Sequence, residues 1–150
     1  MVYNSAEETL KHIKRVQEIL GLIINKIEKQ GLEHDKSKLE EPEKGFFDEM
    51  TPKLKNCTYN SEEYHKFLKE LKPALDHHYK NNSHHPEHTE KGFEGMTLVD
   101  VIECFADWKA ASERHADGNF KRSIEINSKR FNMDPQLISI FENTRKEFNL

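Results

Sequence analysis

The sequence predicts an all-α fold, a single-domain helical bundle of about five to six helices over residues 1–150. Three observations carry this. No stretch alternates apolar and polar residues for long and β-branched runs are short, so strands have almost no signal. Helix-opening pairs recur: Ser5 with Glu8, Asn60 with Glu63, and Thr97 with Asp100. Apolar residues make up only 35% of the chain and charged residues 33%. That balance suits helices that each turn one apolar stripe inward and a charged face to water.

The elements follow in order. A first helix opens at Ser5 and runs to about Lys29, ahead of Gly31. A second, shorter one starts near His34 or Asp35 and continues to about Met50, with breaks at Pro42 and Gly45. Residues 51–59 read as a loop. A third helix opens at Asn60 and reaches about His78, with a kink or restart at Pro73. Residues 81–95, NNSHHPEHTEKGFEG, are turn chemistry. A fourth helix opens at Thr97 and ends near Asp117 and Gly118, and a fifth covers about Phe120 to Phe131. The last has Asp134 as its cap and Pro135 in its first turn, and runs to about Phe148. Phe131, Leu137, Ile138 and Phe141 are expected in the core.

Charge and composition exclude several classes. A net charge of −4 without any basic stripe gives no reason to expect a nucleic-acid polymer as partner. The opening MVYNSAEETLKHIK lacks an apolar segment of signal-peptide length, and clusters such as Gly21 to Ile24 are too short to span a bilayer. A cytoplasmic protein without membrane partners is the expectation. Cys57 and Cys104 stand far apart with no C-x-x-C spacing and read as reduced thiols.

The histidines are unusual. There are nine, and five of them (His77, His78, His84, His85 and His88) fall between positions 77 and 88. Imidazole and carboxylate donors suit Zn, Mn or Fe, and a dense local set of them points to a metal site. His12 lies within about 40° of Val16, Ile19 and Ile23 on a helical wheel, either as a core histidine or as a ligand. His34 and Asp35 are adjacent and could reach one cation together, although Asp35 could instead cap a helix. On the fourth helix Asp100, Glu103 and Asp107 share one face, and Leu98, Val101, Ile102 and Phe105 the opposite one. That face is either solvated or buried, and if buried its carboxylates need a cation or a donor. His65 does not share a helix face with His77 or His78 and is not counted among the ligands. Taken in order, His12, then His34-Asp35, then a histidine pair, then Asp107 place donors on successive helices, which a bundle can converge on its core.

From about His12 to Asp107 the sequence resembles the HD-domain superfamily of metal-dependent phosphohydrolases. His34-Asp35-Lys36-Ser37-Lys38 looks like the HDxxK form of HD-GYP proteins, Leu75-Asp76-His77-His78 resembles their second histidine element, and residues 101–107 are similar to the helix that supplies the last aspartate. Glu8 has a counterpart in members that hold an extra metal. No GYP tripeptide follows the histidines, so cyclic-di-GMP hydrolysis is not implied. A closer likeness is to small, often phage-encoded, uncharacterised proteins that share HDxSK, H-x3-N-x-HH (His78, Asn82, His84-His85) and the pair Asp107-Trp108.

The resemblance implies one or two divalent transition-metal ions among Mn, Fe, Zn, Co and Ni. His12, His34, Asp35 and Asp107 would hold the first. Asp35 would bridge to a second, held by His78 with His84 or His85; His77 remains a further candidate and His78 and His85 are favoured. Two such ions about 3.5–4 Å apart can share a nucleophile and stabilise a leaving oxygen. Lys38 would neutralise a phosphate, and Glu103 or Glu87 would orient a histidine. The implied activity is hydrolysis of a small phosphorylated molecule, a nucleotide by analogy. The alternatives are an HD-type di-iron oxygenase and a non-catalytic metal-binding module.

Overall fold

The computed structural model of the protein describes residues 4–56, 61–114 and 118–150. Its regular elements are all helical: α1 (Ala6–Glu33), α2 (Glu43–Asn56), α3 (Glu62–Asn81), α4 (Leu98–Ser112), α5 (Phe120–Arg130) and α6 (Pro135–Glu147). Short 3-10 helices cover Lys36–Leu39, Pro86–His88 and Gly92–Gly95. Among the described residues there is no strand, and no helix is long and apolar enough to cross a membrane. The chain divides into two compact units, Met1–Glu33 and His34–Leu150.

The first unit is α1. Its opening turn uses Asn4 as the side-chain acceptor, for the Ala6 N–H at 3.1 Å, while the Ser5 carbonyl takes the Thr9 N–H at 3.0 Å. Glu7 and Glu8 suit the positive end of the helix dipole. Gly31 does not stop the helix, which continues to Glu33. A glycine inside a helix costs only about 1 kcal/mol, less than the signal it lends to sequence patterns suggests.

The second unit departs from expectation at its start. No helix opens at His34 or Asp35; Asp35 takes a left-handed conformation (φ 57°, ψ 11°), the 3-10 helix follows, and α2 begins only at Glu43. At its other end α2 runs through Pro52 to Asn56, so residues 51–56 are helix rather than loop. Packing explains this: Met50 is buried and Leu54 packs beside it, against Leu71 and Ala74 of α3. Burial of those side chains outweighs the backbone bond that Pro52 cannot make. Ser61 caps α3 by accepting the Tyr64 N–H at 3.1 Å, and α3 continues through Pro73 to Asn81. Asn60 and Cys57 lie outside the described residues.

Thr97 and Asp100 form the reciprocal capping box that the sequence predicts for α4. The helix stops at Ser112, earlier than expected, and Asp117 lies outside the described residues. Of the two readings of its acidic face, burial holds for Asp100. Asp100, Cys104 and Trp108 are buried, whereas Leu98 is 69% and Ile102 38% exposed. The stripe at i, i+4, i+8 is the one that meets α5 and α6, where Phe120, Ile124, Met133 and Phe141 close a second apolar cluster with Phe93, Phe105, Phe131, Leu137 and Ile138 around it. Trp108 stacks on Phe131 (centroids 6.0 Å, planes 13° apart), and Phe105 meets Phe141 edge-on at 5.2 Å. Asn119 and Asp134 cap α5 and α6, the latter ahead of Pro135. Cys104 is a buried free thiol.

Phe141, 2% exposed, is the centre of this cluster. Phe141→Ala should lower the unfolding free energy by about 3–5 kcal/mol, and Ile140→Ala, one position along on the exposed face, by under about 1 kcal/mol. Urea titration of both variants checks this; equal losses would show that α6 packs by a different face.

Candidate metal centre

Asp35 is the hub of a polar cluster in the second unit. Its left-handed backbone costs an ordinary residue roughly 1–2 kcal/mol, and aspartate and asparagine tolerate it best. It occupies the cap position of the 3-10 helix, yet its side chain makes no capping bond. The carboxylate turns instead toward the histidines. Oδ1 lies 3.1 Å from His78 Nε2 and 3.5 Å from His84 Nε2, and Oδ2 lies 2.6 Å from Lys38 Nζ.

His78, at the end of α3, is held from behind by a residue that the motifs did not include. Glu43, the first residue of α2, is fully buried, and its two oxygens accept from His78 Nδ1 at 2.9 Å and His77 Nδ1 at 2.7 Å. A carboxylate can only accept, so His78 Nδ1 donates to Glu43 and the Nε2 edge of the ring is turned toward Asp35. Ser37 donates to the same Glu43 carboxylate at 3.0 Å, and the Asn82 amide donates to Ser37 Oγ and to the His78 carbonyl, both at 2.8 Å. The serine of HDxSK and the asparagine of H-x3-N-x-HH are therefore joined by a hydrogen bond.

Glu103 plays the matching part from α4. One oxygen, Oε1, stands 2.8 Å from His34 Nδ1 and 3.1 Å from His84 Nδ1. The turn 82–85 carries His84 and His85 inward. His85 Nε2 lies 2.9 Å from His78 Nε2, and the His84 and His85 rings are 4.1 Å apart. Asp107, one turn beyond Glu103, approaches His34 Nε2 at 3.7 Å. Asp100 is buried as well, but a donor satisfies it: the Ser83 hydroxyl, at 2.6 Å.

Three groups of donors lie close enough to share an ion: Asp35 with His78, His84 and His85; His34 with His84 and Glu103; and His34 with Asp35 and Asp107. In the first, His78 lies 2.9 Å from His85 and 3.1 Å from Asp35, and His84 lies 3.5 Å from Asp35. Donors about 2.0–2.2 Å from a single tetrahedral ion stand roughly 3.3–3.6 Å from one another; Asp35 Oδ1 and His84 Nε2 have that spacing, and the pairs at 2.9 and 3.1 Å are closer. Asp35 Oδ1 and His84 Nε2 are buried there with no hydrogen-bond partner. Buried polar atoms without a partner cost about 1–3 kcal/mol each, so two that face one point mark a place suited to a cation.

The electrostatics follow from this crowding. Burial pushes the Asp35 carboxyl up, but His78, His84 and Lys38 outweigh it and hold it well below the usual range. Asp107 and then Glu103 push the His34 imidazole up to about 10, against desolvation. Burial, reinforced by His84 and His78, pushes His85 down to about 3. Glu103 is raised by burial but brought to about 2 by His34 and His84. At neutral pH the metal-free cluster thus holds His34 as a cation and His85 as a neutral base.

Of the residues that the sequence singles out, the structure brings together His34, Asp35, Lys38, His78, His84, His85, Glu103 and Asp107. His12 is on α1, in the first unit, with an exposed side chain; the groups above are built wholly from the second. His77 turns to Glu43, and its Nε2 sits 3.3 Å from the Asn81 amide, so it faces away from Asp35 Oδ1. Glu87 orients no histidine and pairs with Arg130 at 2.7 Å. Lys38 is bound to Asp35. Glu43 escaped sequence reasoning, since one glutamate after a proline in a charged segment carries no pattern.

The fold and cluster define an all-helical protein with a buried histidine–carboxylate centre. The chain belongs to the family of unknown function DUF5662, whose model matches residues 1–147. No curated protein and no solved structure matches it.

The pH dependence of the metal-free protein follows from these shifts. The His34 contribution, from a raised pKa, is complete below its ordinary 6.5 and is lost as pH climbs through about 10. The Glu103 contribution, from a lowered pKa, is complete above its ordinary 4.5 and is lost as pH falls through about 2. Urea midpoints of chelator-treated protein should decline between pH 7 and 10, and His34→Gln should remove much of that decline. Parallel profiles for the two proteins would contradict the pairing.

Proposed function

We propose that this protein is a metal-dependent phosphohydrolase acting on a small phosphorylated molecule, with a nucleotide as the first candidate. The observation that supports it most is the pair of buried, unpartnered atoms, Asp35 Oδ1 and His84 Nε2, beside the His78 and His85 Nε2 atoms. Asp35, His78, His84 and His85 would hold the ion. A divalent metal supplies a Lewis acid that polarises a phosphoryl oxygen and makes water more acidic.

The rest of the work belongs to the chain. Glu43 and Glu103 fix the ring orientation of His77, His78, His34 and His84, as outer carboxylates do in metal sites. Lys38 places a positive charge at the edge of the cluster, where a phosphoryl group would approach Asp35. The phosphoester class itself comes from the resemblance of the HDxSK and histidine motifs to HD-domain hydrolases, which is an analogy of sequence.

One observation favours a second reading. Four protein donors close the coordination sphere of tetrahedral zinc, as in structural sites, but leave positions open on a six-coordinate ion such as Mn2+ or Fe2+. With zinc, the centre would pin the fold rather than catalyse.

Elemental analysis of untagged protein should find about one to two equivalents of transition metal, and His78→Ala or His84→Ala should remove it. The loaded protein should release phosphate from members of a nucleotide and sugar-phosphate panel. Metal present with no phosphate released from any of them would defeat the hydrolase reading and leave the binding module. Glu43→Gln, which keeps the volume but weakens the hold on His78, should reduce metal affinity about 10- to 100-fold, measured by competition with a chelating dye.

A further inference from the structure

Resting on the reading of the cluster as a metal centre, we infer that Lys38 is its built-in second cation. The cluster takes one metal ion, on the Oδ1 side of Asp35, and the Lys38 ammonium occupies the Oδ2 side, where a bridged second ion would have to bind.

The two oxygens of Asp35 face different company. Oδ1 meets His78 and His84, whereas Oδ2 meets Lys38 Nζ at 2.6 Å and His34 Nε2 at 3.6 Å. The third group of donors, His34 with Asp35 and Asp107, is reached through that Oδ2 side, since the His34 Nε2 that lies 3.7 Å from Asp107 is also the one near Oδ2. Both unpartnered buried atoms, in contrast, lie on the Oδ1 side. The demand for a cation is therefore unmet on one side of the carboxylate and already met on the other.

Lys38 is also built into its place. It follows Asp35 by three residues across the 3-10 helix, which brings its ammonium back over the carboxylate. Its side chain is 27% exposed. The ammonium also stands 5.4 Å from the centre of the Phe47 ring, a cation–π distance. A divalent ion entering beside it would share Oδ2 with a fixed like charge, and low local polarity strengthens that repulsion.

Cobalt(II) tests this with readouts that need no substrate. Metal-free protein is loaded with Co2+, passed through gel filtration, and measured for metal content and visible absorption, beside Lys38→Met, Lys38→Arg and Lys38→Met/Asp107→Asn. Circular dichroism checks that each variant is folded. The expected result is one equivalent in the native protein and in Lys38→Arg, two in Lys38→Met with a changed spectrum, and one again in the double variant. Two equivalents in the native protein, or one in a folded Lys38→Met, would overturn the inference while leaving the metal centre in place. No cobalt retained by the native protein would overturn the metal-centre reading as well.

Discussion

The orientation of imidazole rings around the Asp35 carboxylate is the constraint on which the cluster depends. An imidazole offers its lone pair in one direction only, so three rings share a point only if each is fixed from its far side. Two buried or half-buried glutamates do this for His78 and His84. Glu43 takes one Nδ1–H on each of its oxygens, from His77 and His78, and a single oxygen of Glu103 faces the Nδ1 atoms of His34 and His84. Neither glutamate is in the group that includes three histidines and Asp35, yet without them the His78 and His84 rings would be free to turn.

The backbone is fitted to the same end. Asp35 enters the left-handed region, which frees its carboxylate from the capping role that the start of a helix would otherwise assign to it. The short 3-10 helix then returns Ser37 to Glu43 and Lys38 to Asp35. α3 and α4 each carry core and cluster residues on neighbouring positions. Leu71 and Ala74 anchor α3 before His78 at its end, and Cys104 and Trp108 anchor α4 beside Glu103 and Asp107. Apolar burial thus sets the helix positions, and the polar groups inherit a fixed geometry from it. Preorganisation of this kind allows a site to bind an ion without first ordering its ligands.

Charge is balanced within the cluster rather than by solvent. His78, His84 and Lys38 hold the Asp35 carboxyl below its ordinary range despite burial, His34 and His84 do so for Glu103, and His34, with His85 and His84, for Asp107. Where that balance is complete, on the Oδ2 side of Asp35, the chain satisfies itself. Where it is incomplete, on the Oδ1 side, an oxygen and a nitrogen remain without partners. The contrast between the two sides of one carboxylate connects the fold to its proposed chemistry.

The sequence by itself determined the helical class, the caps at Thr97 and Asp134, and the core role of Phe141, because these depend on local propensity and on a periodicity that neighbours in the chain reveal. It also pointed to His34, Asp35, His78, His84, His85, Glu103 and Asp107, through a dense run of histidines and the order of these donors along successive helices. Tertiary structure decided the rest. That α2 runs past Pro52 depends on what Met50 and Leu54 pack against, and that α4 buries Asp100, Cys104 and Trp108 rather than Leu98 and Ile102 depends on where α5 and α6 lie. The role of Glu43 is the clearest case. It is one of many acidic residues in a charged chain, and only the fold, by removing it from water and placing two imidazoles against it, distinguishes it from the others.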